Sequence, residues 1–463
     1  MESHRDDKDP YLYYLTVLFV LAGLLLRLVR LGYSPDYHYD EPLYMALSAN
    51  LARSGVLSAS GSWSMPFFYH PALFFTIQTL WFLATGITLY ASRLLSVFWS
   101  VCTILLVWKM AGSVFRLKQF DTMILVGLLS FDNWSIFSSR LGLIESQLIF
   151  LSAAAIYLFW TELDGKERPF SGVFLGLSLI TKFLGVIPLI VVSFYMLLKR
   201  RNKLLYLFLN LWVCFGIFAL HSMVEAYFNP SEFFAQNFAQ VWRLYNVDSS
   251  RGMYDLATAI SGAWINLAFY GATYAVSMLG LTCLAYSVFK RRVVDYLAIW
   301  GGVVTVSMIV FRLKYPHYLT VAIIPLFLFA VSEVKLTRKW KSVMFILLVA
   351  VNLYGWSNRF ILQYDGALMD SSKYLNSLPD NVILLCEEPV GMTSGKIWHR
   401  MSVHRTLSGF LWLNVTHVVF QQSFLQPPPP LEPDLMNYIQ ANCSLIRSYR
   451  GIWYEITIYE RKV

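Results

Sequence analysis

Three acidic residues stand where charge is costly. Asp40 and Glu41 are adjacent in Ser34-Pro-Asp-Tyr-His-Tyr-Asp-Glu-Pro-Leu-Tyr-Met-Ala46, just after a first apolar run. Glu145 ends Ser139-Arg-Leu-Gly-Leu-Ile-Glu, inside an otherwise apolar stretch. An ionisable group at such a place is a functional candidate by default. Acids from separate loops that converge on one cavity suit proton transfer or a divalent metal. A plainer reading stands beside this one. Pro42 fits a first helical turn, so Asp40 or Glu41 can simply cap an interfacial helix over residues 43–53. Glu145 can likewise be the structural partner of Arg140.

Basic groups recur near these acids. His70 precedes Pro71, Arg93 begins an apolar run, and Lys182 interrupts Gly176-Leu-Ser-Leu-Ile-Thr-Lys. Arg312, Lys314 and His317 share Arg-Leu-Lys-Tyr-Pro-His-Tyr. Each alone is more simply a snorkelling side chain. Together they form a cluster able to hold a phosphate. Acids beside phosphate-binding bases, at a membrane surface, suit displacement of a sugar from a lipid phosphate.

The elements that must position these residues are membrane helices. Of the 463 residues, 57% are hydrophobic and 14% charged, against about 25% charged in soluble domains. Apolar segments cover roughly 11–31, 72–90, 91–113, 119–137, 147–162, 171–181, 183–198, 204–224, 262–288, 295–311, 317–334 and 341–357. The first is too long for a signal-peptide core and lacks a cleavage site, so it reads as a retained span. The net charge of +9 is explained by basic cytoplasmic loops rather than by nucleic acid. Those loops are marked by Lys109, Arg116 and Lys118; by Lys166 and Arg168; by Lys199, Arg200, Arg201 and Lys203; by Lys290, Arg291 and Arg292; and by Lys335, Arg338, Lys339 and Lys341. Alternation then puts 32–71, 138–146, 225–261, 312–317 and the C-terminal part on the outer side. Parity fails if 72–90 is a full span, so that segment is expected to be short or tilted, leaving about 11 full spans.

The apolar pattern stops after residue 357. Residues 1–357 form the membrane domain, and 358–463 an extracytoplasmic α/β domain with strands expected at 382–386 and 415–420. Pro427 to Pro430 reads as a stiff loop. Cys386 and Cys443 are able to join there in an oxidising compartment. Asn414-Val-Thr and Asn442-Cys-Ser match the glycosylation acceptor pattern.

Taken in order, these blocks resemble the GT-C glycosyltransferases of the protein O-mannosyltransferase and aminoarabinose transferase type. The blocks are Asp40-Glu41 with Tyr44 and Ala46; His70-Pro71-Ala72-Leu73; Ala91-Ser-Arg93-Leu94; Ser139-Arg140 with Glu145; Gly176-Leu177 with Thr181-Lys182; and Lys314-Tyr-Pro-His-Tyr318 before Ile323-Ile-Pro325. The resemblance implies an all-α polytopic GT-C fold of about 11–13 transmembrane helices with a small C-terminal α/β domain. It implies a dolichyl- or undecaprenyl-type polyprenyl-phosphate sugar as donor and inversion at the sugar carbon. Asp40 would be the general base, Glu41 would help orient or bind the acceptor, and Glu145 would support the acceptor or the cavity's charge balance. Tyr44, His70, Arg93, Arg140, Lys182, Lys314 and His317 would bind substrate or lipid phosphate. No metal site is assigned, although the acids are able to take a divalent ion. The acceptor would be a protein, lipid or glycan, and the membrane the plasma membrane or endoplasmic reticulum. The sequence departs from the pattern at His70, where Lys is frequent, at Ala72 in place of a second Pro, at Leu43, and at Glu145 in place of Asp.

Two other classes compete. A secondary transporter also needs intramembrane charges, but no internal repeat or paired broken helices are visible. A non-catalytic scaffold would not need Asp40, Glu145 and Lys182 together.

Overall fold

A computed structural model describes residues 9–38, 40–58, 66–164, 168–245, 272–290, 295–310, 320–362, 366–401, 404–423, 431–451 and 454–462. Lys314, His317 and Arg312 lie outside these residues, as do Lys166, Arg291, Arg292 and Pro427–Pro430.

The first helix, α1 (Pro10–Leu28), starts where the Asp9 carboxylate accepts from Tyr11 N and proline occupies the first turn. It is followed by α2 (Glu41–Ser54), which stops at Gly55 in the left-handed region. Next comes α3 (Leu73–Thr85). Its 13 residues reach only about 20 Å, short of a hydrocarbon core of about 30 Å. This is the segment whose parity required it to be short. Thr88 caps α4 (Leu89–Ser113). The expected span 119–137 is divided at Asp132 into α5 (Gln119–Phe131) and α6 (Asn133–Ser139), with the Asp132 side chain capping α6.

After α7 (Glu145–Asp164), two half-length helices follow, α8 (Phe170–Leu179) and α9 (Val186–Lys199). Between them Lys182 is fully extended, with φ −159° and ψ 147°. A Cβ on Gly185 would lie 2.3 Å from the Ser178 backbone, so only glycine allows the chain to return this closely. The helical part continues with α10 (Leu204–Phe228), α11 (Pro230–Tyr245), α12 (Ala272–Phe289), α13 (Tyr296–Val310), α14 (Thr320–Glu333) and α15 (Arg338–Ser357).

Among the described residues six helices are long and apolar enough to cross a membrane, and six more are apolar but shorter, at 10–17 residues. The largest apolar cluster runs from α1 to α15, with separate smaller ones at α2–α3 and α8–α10. Away from the acids, Lys341 pairs with Asp121 at 2.6 Å, and Gln119 exchanges two hydrogen bonds with the Asp9 backbone.

The C-terminal part alternates helices and strands: α16 (Ala367–Ser377), β1 (Ile383–Cys386), α17 (Glu388–Thr393), β2 (Ile397–Arg400), α18 (Leu407–Trp412), β3 (His417–Ser423), α19 (Pro433–Asn442), β4 (Cys443–Arg450) and β5 (Tyr454–Arg461). The sheet order is β2-β1-β3-β5-β4. β1 runs parallel to β2 and β3, and β5 antiparallel to β3 and β4. This order overturns the expectation that Cys386 and Cys443 are able to join. Both thiols are free and buried. They sit on β1 and β4 with two strands between, about 14 Å apart at ~4.8 Å per strand, beyond the ~7 Å reach of a disulfide.

Candidate functional site

Asp40 and Glu41 head α2 but have different surroundings. Glu41 is fully buried. Its Oε1 accepts from Arg93 Nε (2.9 Å) and Gly142 N (2.6 Å). Its Oε2 accepts from Arg93 Nη2 (2.8 Å) and His38 N (2.7 Å). Four donors, two of them on one fork-shaped guanidinium, compensate this buried charge. Asp40 is the N-cap by position, yet its carboxylate makes no capping bond to α2, and the residue is half-buried. Glu41 takes the His38 N–H, which lies before α2, so neither acid is seen to cap the helix.

Arg93 was expected at a lipid phosphate, and its geometry is different. Besides two bonds to Glu41, it donates from Nη1 to Leu31 O (3.0 Å) and Pro35 O (2.7 Å), and from Nη2 to Asp36 O (3.1 Å). All five guanidinium donors are thus used inside the protein. Arg93 shapes the loop between α1 and α2. Arg140, expected in the same role, is also fully buried. It donates to Leu26 O (3.0 Å), Arg27 O (2.8 Å) and Ser34 O (2.5 Å), binding the last carbonyls of α1, and lies 4.4 Å over the Phe360 ring.

Glu145 pairs with Lys182 at 2.5 Å rather than with Arg140. Glu145 opens α7, where the helix dipole favours an acid. Lys182 reaches it from the break between α8 and α9. Beside them Gln147 Nε2 donates to Thr181 Oγ1 at 3.2 Å. Both charges are almost wholly buried, at 2% and 5% exposure. A further ligand for Lys182 must compete with this carboxylate.

Tyr44 stands one turn beyond Glu41 on α2. Its ring meets His70 edge-on at 6.0 Å, and Phe74 and Phe75 at 5.9 and 5.4 Å. Phe67, Leu141, Leu143 and Ile144 complete this apolar cluster, and Met392 of α17 packs on it. Ser48, Gln78 and Ser92 form a buried hydrogen-bonded chain that ties α2, α3 and α4 together.

Segment 140–145 connects these pairs. Arg140 holds α1, Gly142 holds Glu41, and Glu145 holds Lys182. A Cβ on Gly142 would stand 2.2 Å from Ser92 Oγ, so the N–H reaches Glu41 only because the residue is glycine. The sequence reading passed over Gly142, whose signal was a glycine midway between two charged residues in an apolar run.

Asp36 was also passed over. Its carboxylate accepts from Leu368 N (2.7 Å) and Met369 N (3.1 Å), at the start of α16. The neighbouring Tyr37 packs on the sheet domain's core, and burial pushes its phenol up to about 12. Arg27, a charge in the last turn of the first apolar run, is fully buried; it donates to Ser100 Oγ and Ser135 Oγ. These hydroxyls, with Ser138, Ser139 and Ser146, line a small cavity of about 40 Å³, room for no more than a few waters. Among the described residues no three His, Cys, Asp or Glu side chains form a group able to hold a metal ion.

No protein-family model and no curated protein matches the sequence. Solved structures do match. ArnT from Cupriavidus metallidurans bound to undecaprenyl phosphate agrees with a TM-score of 0.65 at 15% identity, over 96% of this chain and 97% of that one. The apo state of ArnT gives 0.64 at 14% identity over the same shares. Arabinofuranosyltransferase AftD from Mycobacteria gives 0.50 at 12% identity, over 97% of this chain and 40% of its own. At such identities the agreement is one of fold, and activity has to be argued from the site. From α1 to the C-terminal sheet, this chain has the GT-C glycosyltransferase fold that ArnT shows, over nearly the full length of both proteins.

Proposed function

We propose that the protein is a membrane glycosyltransferase that moves a sugar from a polyprenyl-phosphate donor to an acceptor hydroxyl. The observation that carries this reading is the division between the paired acids. Glu41 is saturated by Arg93, Gly142 and His38, whereas the adjacent Asp40, at the head of α2, is only half-buried. The ArnT-like fold supplies the class of chemistry, and ArnT itself binds undecaprenyl phosphate.

In this reading Asp40 takes the proton of the acceptor hydroxyl. The freed oxygen attacks the anomeric carbon from the side opposite the phosphate, and the configuration inverts. The bond from that carbon to the phosphate oxygen breaks, and its electron pair leaves with the polyprenyl phosphate. Basic groups offset the charge that grows on the leaving oxygen. His70 and Lys182 are assigned that role, with Lys314 and His317. Tyr44 holds the His70 ring in place. Glu41, Arg93 and Arg140 position the loop that carries Asp40, and Glu145 holds Lys182 until the phosphate arrives. The site faces the outer or lumenal side, and the sheet domain lies there too.

Asp40→Asn tests the assignment. The expected result is loss of transfer from a polyprenyl-phosphate sugar by about 10²–10⁴-fold, the contribution of a general base, with expression and thermal unfolding unchanged. Near-normal turnover would refute the role of Asp40.

A further inference from the structure

Segment 66–72 carries His70, and the α10–α11 hairpin holds it at both ends. Gln236 of α11 donates from Nε2 to Pro66 O (2.9 Å) and accepts at Oε1 from Phe68 N (2.7 Å), as a neighbouring strand would. His221 of α10 accepts at Nε2 from Ala72 N (3.1 Å). An accepting Nε2 carries no proton, so the ring proton is on Nδ1, 3.5 Å from Glu225 Oε2. Phe233 adds an edge-on contact with Phe68 at 5.8 Å.

The hairpin has a second face. Phe234 and Phe238 are 66% and 69% exposed. At 100° per residue they lie across α11 from Phe233 and Gln236. They continue the exposed apolar surface of α10, where Met223, Tyr227 and Phe228 point outward. A helix with one face on protein and an apolar face continuous with a span's lipid surface fits the interface plane of a bilayer.

We propose that α11 rests in the lipid leaflet at the site end of the bundle, and that Gln236 and His221 are positioning residues that transmit this seat to His70. The height of His70 is then set relative to the lipid headgroups, the level at which a polyprenyl lipid presents its phosphate. The inference rests on His70 as a donor-phosphate ligand, as argued above.

Binding of undecaprenyl phosphate to the full chain in lipid nanodiscs tests it. Gln236→Met keeps the side-chain length and removes both backbone bonds, and a roughly tenfold weaker Kd is expected. His70→Ala and the double variant H70A/Q236M should bind equally weakly, because Gln236 acts through His70. Additive losses, or unchanged binding by Q236M, would overturn the clamp. Wild-type binding by H70A would overturn the phosphate reading of His70 instead. If Q236M does not fold, Gln236→Asn, one methylene shorter, takes its place. The seat is read separately with a bimane label on Phe234→Cys, the labelled wild type giving the background. Quenching by lipids brominated in the acyl chain is expected. Quenching by aqueous iodide alone overturns the seat.

Discussion

The Asp36 carboxylate accepts the backbone N–H of Leu368, 332 residues away in sequence, at 2.7 Å. It also takes Met369 N, so one acid of the loop between α1 and α2 caps the first helix of the sheet domain. Arg93 Nη2 holds the Asp36 carbonyl from below. The loop that leads to Asp40 is thus fixed between a membrane helix and the sheet domain. Asp36→Ala removes two acceptor bonds at a buried helix start and is expected to cost about 1–3 kcal/mol. Limited proteolysis should then cut faster between the helical and sheet parts, with transfer reduced in step. Unchanged cleavage would show that other contacts suffice to hold the sheet domain.

The Arg93–Glu41 pair is buried on both sides, so breaking it leaves a charge without compensation. Arg93→Met is expected to destabilise by about 3–5 kcal/mol. Thermal unfolding in detergent should show a marked drop. Replacing both residues by apolar ones should cost less than the single change. The reverse order would mean that Arg93 matters chiefly for the carbonyls of Leu31 and Pro35.

Lys182 and Glu145 make opposite predictions for lipid binding. If Lys182 takes the donor phosphate, as proposed, the phosphate has to displace the Glu145 carboxylate. Glu145→Gln is therefore expected to tighten binding of undecaprenyl phosphate several-fold while slowing transfer, and Lys182→Met to weaken binding about tenfold. Isothermal or native mass-spectrometric titration reads both. Equal weakening by the two variants would place the phosphate elsewhere.

In the sheet domain burial lowers the affinity of His417 for a proton below its ordinary value of 6.5, Glu460 only partly offsetting this. The folded state therefore binds the proton less readily than the unfolded chain. The neutral ring costs nothing above pH 6.5, and sheet stability falls as the pH drops through and below it. Hydrogen exchange of the Val418 and Val419 amides, corrected for intrinsic rate, should quicken below pH 6.5. His417→Gln should flatten that dependence.

Much of the helical architecture was legible because lipid demands long apolar runs. The parity of the basic loops even marked 72–90 as too short, and α3 has only 13 residues. Strands near 382–386 and 415–420 were readable as apolar runs in polar surroundings, and β1 and β3 occupy them. What could not be read was partnership. Glu41 and Asp40 look alike in sequence; Arg93, 52 residues away, and Gly142, 101 away, separate them. Glu145 had a nearby cation in Arg140, yet the fold gives it Lys182, 37 residues on, because α7 and the broken α8–α9 pair meet at that level. Asp36 had no visible task, since its donors come from a helix more than 300 residues later. The two cysteines looked able to join until the sheet order put two strands between them.

The packing of Met392 on the Tyr44 cluster also governs when that cluster is complete during synthesis. Chains emerge from the ribosome N-terminus first. The helix headed by Asp40 and its His70 neighbour are therefore made long before their cover. Until residue 368 is delivered, Asp36 lacks its donors, and until residue 392, the apolar ring around Tyr44 is open. Asp40 is thus made more than 300 residues before the groups that fix Asp36 and cover the Tyr44 cluster.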